Sequence, residues 1–459
     1  MNRVTNERMD NRLRKIFRGR ILHCLGNPET DPSAIEYLED GLMIVDQGKI
    51  LEVAHSEALT GTGLDINQAT DYGNKLIVPG FIDTHVHAPQ MDVIASYGTQ
   101  LLDWLEKYTF PTEMKFAEQE YAERAMVDFV DQLLASGTTT AMVYSTSHEY
   151  ATDALFQAAA NKEMCMIAGK VMMDRNAPKA LLDTADSGFS QSKRLIDKWH
   201  NCGRLAYAVT PRFAITSTPD QLASAGGLMQ SVAGLYMQTH LSETQAEIDQ
   251  VKALFPEIRN YLEVYDRYGL CTDRSFFGHG IHLDDSELER LASTGGNIAF
   301  CPSSNLFLGS GLFDWEKAKA FGVDVSLASD VGGGLSLCML CILAEAYKVC
   351  QLHDMSLAPM QALYEITLGN ARSLGLDDKI GNFRKGSYAD FLVLDVAHRD
   401  KLSRRSDPNQ SIEDEWFAHM MLGDERLISE TWVGGNKYHS SQDTRNEDQI
   451  LVGKVRSAL

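Results

Sequence analysis

The sequence has no apolar tract long enough to cross a bilayer, which takes about 20 consecutive apolar residues, so no membrane span is expected. Positive charge is also scarce: 42 Lys and Arg stand against 63 Asp and Glu, for a net charge of −21. A phosphate-binding surface needs clustered Lys and Arg, so neither nucleic acid nor an anionic membrane is expected as a partner. The basic run Arg12, Arg14, Lys15, Arg18 and Arg20 is the one candidate patch. A solvated terminus, or an edge strand kept from pairing by its charge, explains it more simply. The eight cysteines are too thinly spread for a disulfide scaffold, which fits a reducing compartment. Residues 1–20 are polar and Arg-rich without the apolar core of a secretory signal, so a cytoplasmic location is expected. No short repeat or low-complexity segment stands out.

What is present is an ordinary globular composition, 44% apolar and 23% charged over 459 residues. That length suits one large and one small domain. Segments 20–24, 41–46 and 49–54 read as short strands between turns, and 386–395 and 427–433 read the same way near the other end. These pieces predict a small β-sandwich domain from residues 1–75 and 381–459. Between them, residues 76–380 alternate apolar strands with helical patterns. The strand candidates are 76–87, 138–146, 164–173, 205–213, 235–241, 275–283, 297–303 and 323–330. Residues 118–135 show the helical spacing, with Ala122, Ala125, Met126, Phe129, Leu133 and Leu134 on one stripe and Gly137 at the cap position. Strand and helix repeated eight times predict an α/β fold, a (β/α)8 TIM-like barrel, although an open doubly wound sheet would give the same alternation.

In a barrel the C-terminal strand ends open onto one face, where catalytic side chains meet. The polar residues that interrupt the strands at those ends are His85 and His87 on the first, His240 on the fifth, His279 on the sixth and Asp330 on the eighth. A single strand-end His is more often a hydrogen-bonded structural residue, and Asp330 alone would serve as a helix cap. Their coincidence at corresponding ends argues for a metal site. Imidazoles and a carboxylate suit zinc, or iron, with one position left for water. Glu243, three residues beyond His240, is placed to shuttle a proton, with a dipole-favoured first-turn residue as its structural alternative. His282 and Asp284 are read as structural. Cys338 and Cys341 form a Cys-x-x-Cys in an apolar helical run, and helix core is the preferred reading. The Pro-Cys-x-x-Cys signature of cytidine-type deaminases is absent.

The segments Pro-Gly-Phe-Ile-Asp-Thr-His-Val-His (79–87), Thr-His-Leu-Ser-Glu (239–243), His-Gly-Ile-His (279–282) and Ser-Asp-Val-Gly-Gly-Gly (329–334) resemble those of the amidohydrolase superfamily. The resemblance runs from about residue 20 to 440. His-Ala-Pro-Gln (87–90) and Pro-Arg-Phe (211–213) are similar to those of the members that deaminate guanine. The resemblance implies hydrolytic conversion of guanine to xanthine and ammonia, within purine catabolism. It implies His85, His87, His240 and Asp330 as ligands of one Zn2+ per subunit, with Fe2+ as the alternative. Glu243 is then the proton shuttle, Asp330 a second proton acceptor, and His279 the group that orients the water or the developing alkoxide. Gln90, Arg212 and Phe213 would hold the purine. A homodimer is also implied. The rival within enzymes deaminates or dechlorinates another ring, such as a pterin, a triazine or a cytosine-like base; the rival outside them is a non-catalytic barrel, which would need none of these residues. Lys170 leaves room for a two-metal site bridged by a carboxylated lysine, although the Glu243 shuttle belongs to the mononuclear type. The aromatic-rich stretch 101–114 is a candidate lid.

Overall fold

The computed structural model describes residues 14–59, 65–98, 100–396, 400–405 and 410–441; Arg12 of the basic run lies outside them. In chain order the strands are β1 (Lys15–Cys24), β2 (Ile35–Asp46), β3 (Lys49–His55), β4 (Thr70–Pro79), β5 (Phe81–His87), β6 (Thr138–Tyr144), β7 (Cys165–Gly169), β8 (Val171–Met172), β9 (Leu205–Pro211), β10 (Tyr236–Leu241), β11 (Ser275–His279), β12 (Asn297–Phe300), β13 (Asp324–Leu327), β14 (Phe391–Leu394), β15 (Ile428–Val433) and β16 (Asn436–Ser440).

Parallel strands covered on both faces are buried along their length, and β5, β6, β7 and β11 are buried at every residue. Strands β5, β6, β7, β9, β10, β11, β12 and β13 pair side by side in that order, with β8 a short addition on β9. All these pairings are parallel. The seam between the first and last is closed by the Thr84 hydroxyl, which donates to Ser326 Oγ at 2.9 Å, and by main-chain bonds from Asp330 N–H to His85 O and from His87 N–H to Val331 O, each 2.9 Å. The result is a nearly closed (β/α)8 barrel rather than an open sheet. Its eight strands fall in the eight expected segments.

One boundary differs. The apolar run 76–87 is two strands: β4 ends at Pro79 and pairs antiparallel with β14, whereas β5 begins at Phe81 in the barrel. Gly80 carries the chain between the sheets, its N–H bonding Asp390 O at 3.0 Å while Phe81 N–H bonds Gly137 O at 3.0 Å. The Pro79-Gly80 pair inside this run is the signal that marks the change of partner. The helix Gln119–Ala135 buries Ala122, Met126, Phe129, Val130, Leu133 and Leu134, each large one contributing about 1.5–3 kcal/mol. Gly137 follows at φ 85°, the left-handed turn that glycine adopts without strain.

Strands from both ends form the second sheet, in the order β16-β15-β14-β4-β1-β2-β3. It curls over a core that includes Phe17, Ile50, Phe391 and Trp432, so its halves face one another as the layers of a small sandwich. Buried Arg204, at the foot of β9, pairs with Asp390 beside β14 and ties this sheet to the barrel. Among the described residues no helix is long and apolar enough to cross a membrane.

Candidate active site

Successive strand side chains alternate faces, so His85 and His87 on β5 project together. His240 comes from the end of β10, His279 is the last residue of β11, and Asp330 follows β13 across the seam. His279 and Asp330 have φ values of 71° and 48°. Such conformations cost a non-glycine residue roughly 1–3 kcal/mol and persist where function fixes them.

Asp330 Oδ1 is 3.2 Å from Nε2 of both His85 and His87, and His87 Nε2 is 3.2 Å from His240 Nε2. The His240 Nδ1–H donates to Arg212 O at 2.7 Å, which leaves its Nε2 with a lone pair. Among the described residues, neither ring nitrogen of His85, nor Nδ1 of His87, has a hydrogen-bond partner. Burial lowers the pKa of all three rings, to about 3 for His87 and well below the usual range for His240, so they are neutral. Buried nitrogens without partners are costly unless something takes their lone pairs. In a tetrahedral site with bonds of about 2.0–2.1 Å the donors stand roughly 3.3–3.4 Å apart, close to the spacing seen here. These four residues therefore fit a metal ion. The ring of Tyr144 packs 4.6 Å from His85 and His87 and 4.9 Å from His240 and holds the imidazoles in place.

Cys301, which the sequence reading did not single out, lies beside His85, His279 and Asp330 as a second possible donor group. Three imidazoles and a carboxylate are a familiar open-site donor set, so the His85, His87, His240 and Asp330 group is the better site. Lys170 Nζ instead pairs with Asp183 at 2.5 Å and Val171 O at 3.3 Å.

Glu243 is buried beside this cluster, with Oε2 3.4 Å from His279 Nε2 and Oε1 accepting from the Ser310 hydroxyl at 2.8 Å. Burial raises its pKa to about 7 against the opposing pull of His279, which puts a carboxyl in the range of a proton shuttle. His279 Nδ1 is held 2.8 Å from Asn305 Oδ1. Burial works against the charged ring, yet Glu243, Asp330 and Asn305 outweigh it and the His279 pKa rises. Glu243 is not the helix-end residue its structural alternative required: Thr244 caps the helix Gln245–Leu254 with Glu247 in a capping box. Asp284 does cap the helix Asp285–Thr294, and His282 bonds Ser310 O at 2.9 Å, so both are structural.

Next to the donors is a cavity of about 30 Å³ lined by Gln90, Arg212, Phe213, Leu101, Trp104 and Leu105, together with His87, His240 and Asp330 of the donor group. Larger clefts of about 730 and 660 Å³ lie elsewhere, the first beside Glu365 and Arg372, the second beside Gly48 and Arg204.

The model of the amidohydrolase family matches residues 76–436, which include every barrel strand. The chain belongs to the amidohydrolase family. It is 48% identical to the guanine deaminase of Escherichia coli K12 over 415 residues, 90% of this chain and 94% of the other. Its fold matches a solved E. coli guanine deaminase with a TM-score of 0.89 at 45% identity, covering 93% and 99% of the two chains. A guanine deaminase from C. acetobutylicum with bound guanine in the active site matches with a TM-score of 0.83 at 28% identity, covering 92% and 99%.

In this amidohydrolase the nine residues expected at the site, His85, His87, Gln90, Arg212, Phe213, His240, Glu243, His279 and Asp330, gather around or beside one cavity. The sequence reading missed Glu113. It is fully buried and bonds both Gln90 and Arg212. The segment Phe-Pro-Thr-Glu reads as an ordinary helical turn, and only the uncommon burial of a glutamate would have signalled it.

Proposed function

We propose that the protein is a metal-dependent guanine aminohydrolase, converting guanine and water to xanthine and ammonia. The observation that carries the reading is the likeness to a guanine deaminase across nine-tenths of the chain, supported by the donor group and the adjoining Glu243. By its donor chemistry the group suits one Zn2+ per subunit, or Fe2+, with His85, His87, His240 and Asp330 as ligands. Such an ion, when bound, supplies Lewis acidity and makes water a nucleophile near neutral pH.

The chain's own residues do the rest. Arg212 and Gln90 hydrogen-bond the acceptor edge of the purine, and Phe213 packs against the ring. The carbon bearing the exocyclic amine is thereby held for attack. As the new C–O bond forms, Glu243 takes a proton from water and returns it to the adjacent ring nitrogen. His279 hydrogen-bonds the developing oxyanion. A second proton passes through Asp330 and Glu243 to the amine, the C–N bond breaks, and ammonia leaves. The same reading includes purine catabolism as the setting, a cytoplasmic location and a homodimeric assembly. Ammonia release is measured with guanine, adenine, cytosine and a pterin; guanine should give far the highest kcat/KM. Release from another ring and not from guanine would refute the substrate while leaving the hydrolytic chemistry.

A further inference from the structure

A buried charge survives only when it is paired and hydrogen-bonded, and the partners of Glu113 are unusual. Arg212 Nη1 donates to both carboxylate oxygens at 2.9 Å. Gln90 Nε2 donates to Oε1 at 3.1 Å, while Gln90 Oε1 accepts from Gly332 N–H at 3.3 Å. A carboxylate only accepts, so it fixes which way the Gln90 amide points, with one Nε2–H left over. It also occupies one end of the Arg212 guanidinium, leaving Nε and Nη2 with no hydrogen bond to the described residues. Both residues line the cavity, so their remaining N–H donors are available to a ligand there. A guanidinium reads guanine in this way elsewhere, by paired bonds to O6 and N7.

Glu113 is also part of the cover. Residues 101–117 form one helical run: Leu101–Trp104, a wide π turn at Leu105–Thr109, Phe110–Glu113 and Met114–Ala117. Leu101, Trp104 and Leu105 of this run wall a cavity of about 30 Å³. That space holds about one or two water molecules, less than a purine needs, so its walls, this run among them, must give way to admit one. A π turn within a helix is a common mark of such functional segments.

We propose that Glu113 is a positioning residue: carried on the cover, its carboxylate orients Gln90 and Arg212 so that both present donors to the purine acceptor edge, and does so only when the cover closes. The proposal rests on the guanine reading above, and it ties substrate choice to closure. A ring lacking the O6 acceptor gains nothing from the arrangement.

The test compares guanine with 2-aminopurine, which keeps the amine and lacks O6, in the metal-loaded enzyme and in Glu113→Gln and Glu113→Asp. In Glu113→Gln the ratio of kcat/KM for guanine to that for 2-aminopurine should fall at least tenfold, chiefly through KM, with metal content unchanged. Glu113→Asp should recover part of it. A ratio that stays constant while both activities fall together would mean a merely structural role and overturn the proposal. Wild-type enzyme inert on guanine would refute the functional reading instead. Should the variants not fold, hydrogen exchange in the unaltered protein decides. Saturating xanthine should slow exchange across residues 101–117 at least tenfold, and unchanged exchange there would sink the proposal.

Discussion

Adding one methyl group at Gly278 should weaken metal binding without replacing any of the proposed ligands. Gly278 lies in β11 next to His85, and a Cβ built there would stand 2.6 Å from His85 Cε1 and 3.0 Å from Nδ1. Ordinary contact begins at 3.4 Å, so the ring must retreat by about 0.8 Å, since the strand backbone is held by ladder bonds on both sides. Gly278 φ is not in the left-handed region, so space alone excludes the methyl. The ring has little room to retreat, with Tyr144 4.6 Å away and His240 4.9 Å away, centroid to centroid. Metal bonds tolerate displacements of about 0.2 Å, and misplacing a reacting group by about 1 Å costs around 10²-fold in rate. Gly278→Ala should therefore bind metal at least tenfold more weakly and lose about two orders of magnitude in kcat/KM. Overpacking should cost about 1–3 kcal/mol of stability. Metal is counted by elemental analysis after dialysis, activity by ammonia release, and folding by circular dichroism. A folded Gly278→Ala protein with one tightly held ion and wild-type turnover would refute the packing argument and weaken the case for His85 as a ligand.

Glu243→Gln keeps the shape and hydrogen bonding of the side chain but cannot take a proton. It should retain the metal and lose kcat by roughly 10²–10⁴-fold, and unimpaired turnover would take Glu243 out of the shuttle role. Glu365, beside the 730 Å³ cleft, has its carboxyl pushed up from the usual 4.5 to about 7 by burial, against the opposing hydrogen bond from Gln361. Its folded form holds a proton more tightly than the unfolded chain does. The native state therefore loses stability as pH rises from 4.5 through 7, by at most about 3 kcal/mol, less whatever water in the cleft screens. Glu365→Gln should leave Tm little changed at pH 4.5 and raise it at pH 8; an equal shift at both would contradict this.

The barrel was legible because its signal is local and repeated. Each parallel strand buries both faces, so each announces itself as an apolar run that ends in a polar residue. The donor group was legible for the same reason: His85, His87, His240 and Asp330, with His279 beside them, all stand where such a run stops. The join at Gly80 needed a different signal, the Pro79-Gly80 pair, because hydrophobicity reports that a segment is buried and not which sheet it is buried in. Strand β16, with Asn436 and Lys437 exposed, has no apolar run to report at all.

Glu113 marks the limit more sharply. Its partners Gln90 and Arg212 are 23 and 99 residues away in the chain, and its own neighbours are those of an ordinary surface turn. A strand-end ligand is fixed by the strand that carries it, whereas Glu113 acquires meaning only when the helical run folds back over the barrel mouth and buries it against an arginine from β9's end. The residues proposed for the chemistry therefore stand at or just beyond strand ends, and those proposed to choose the substrate depend on what covers them. That division fits an amidohydrolase: a shared ligand frame can serve many rings, while the cover over it changes which ring is read.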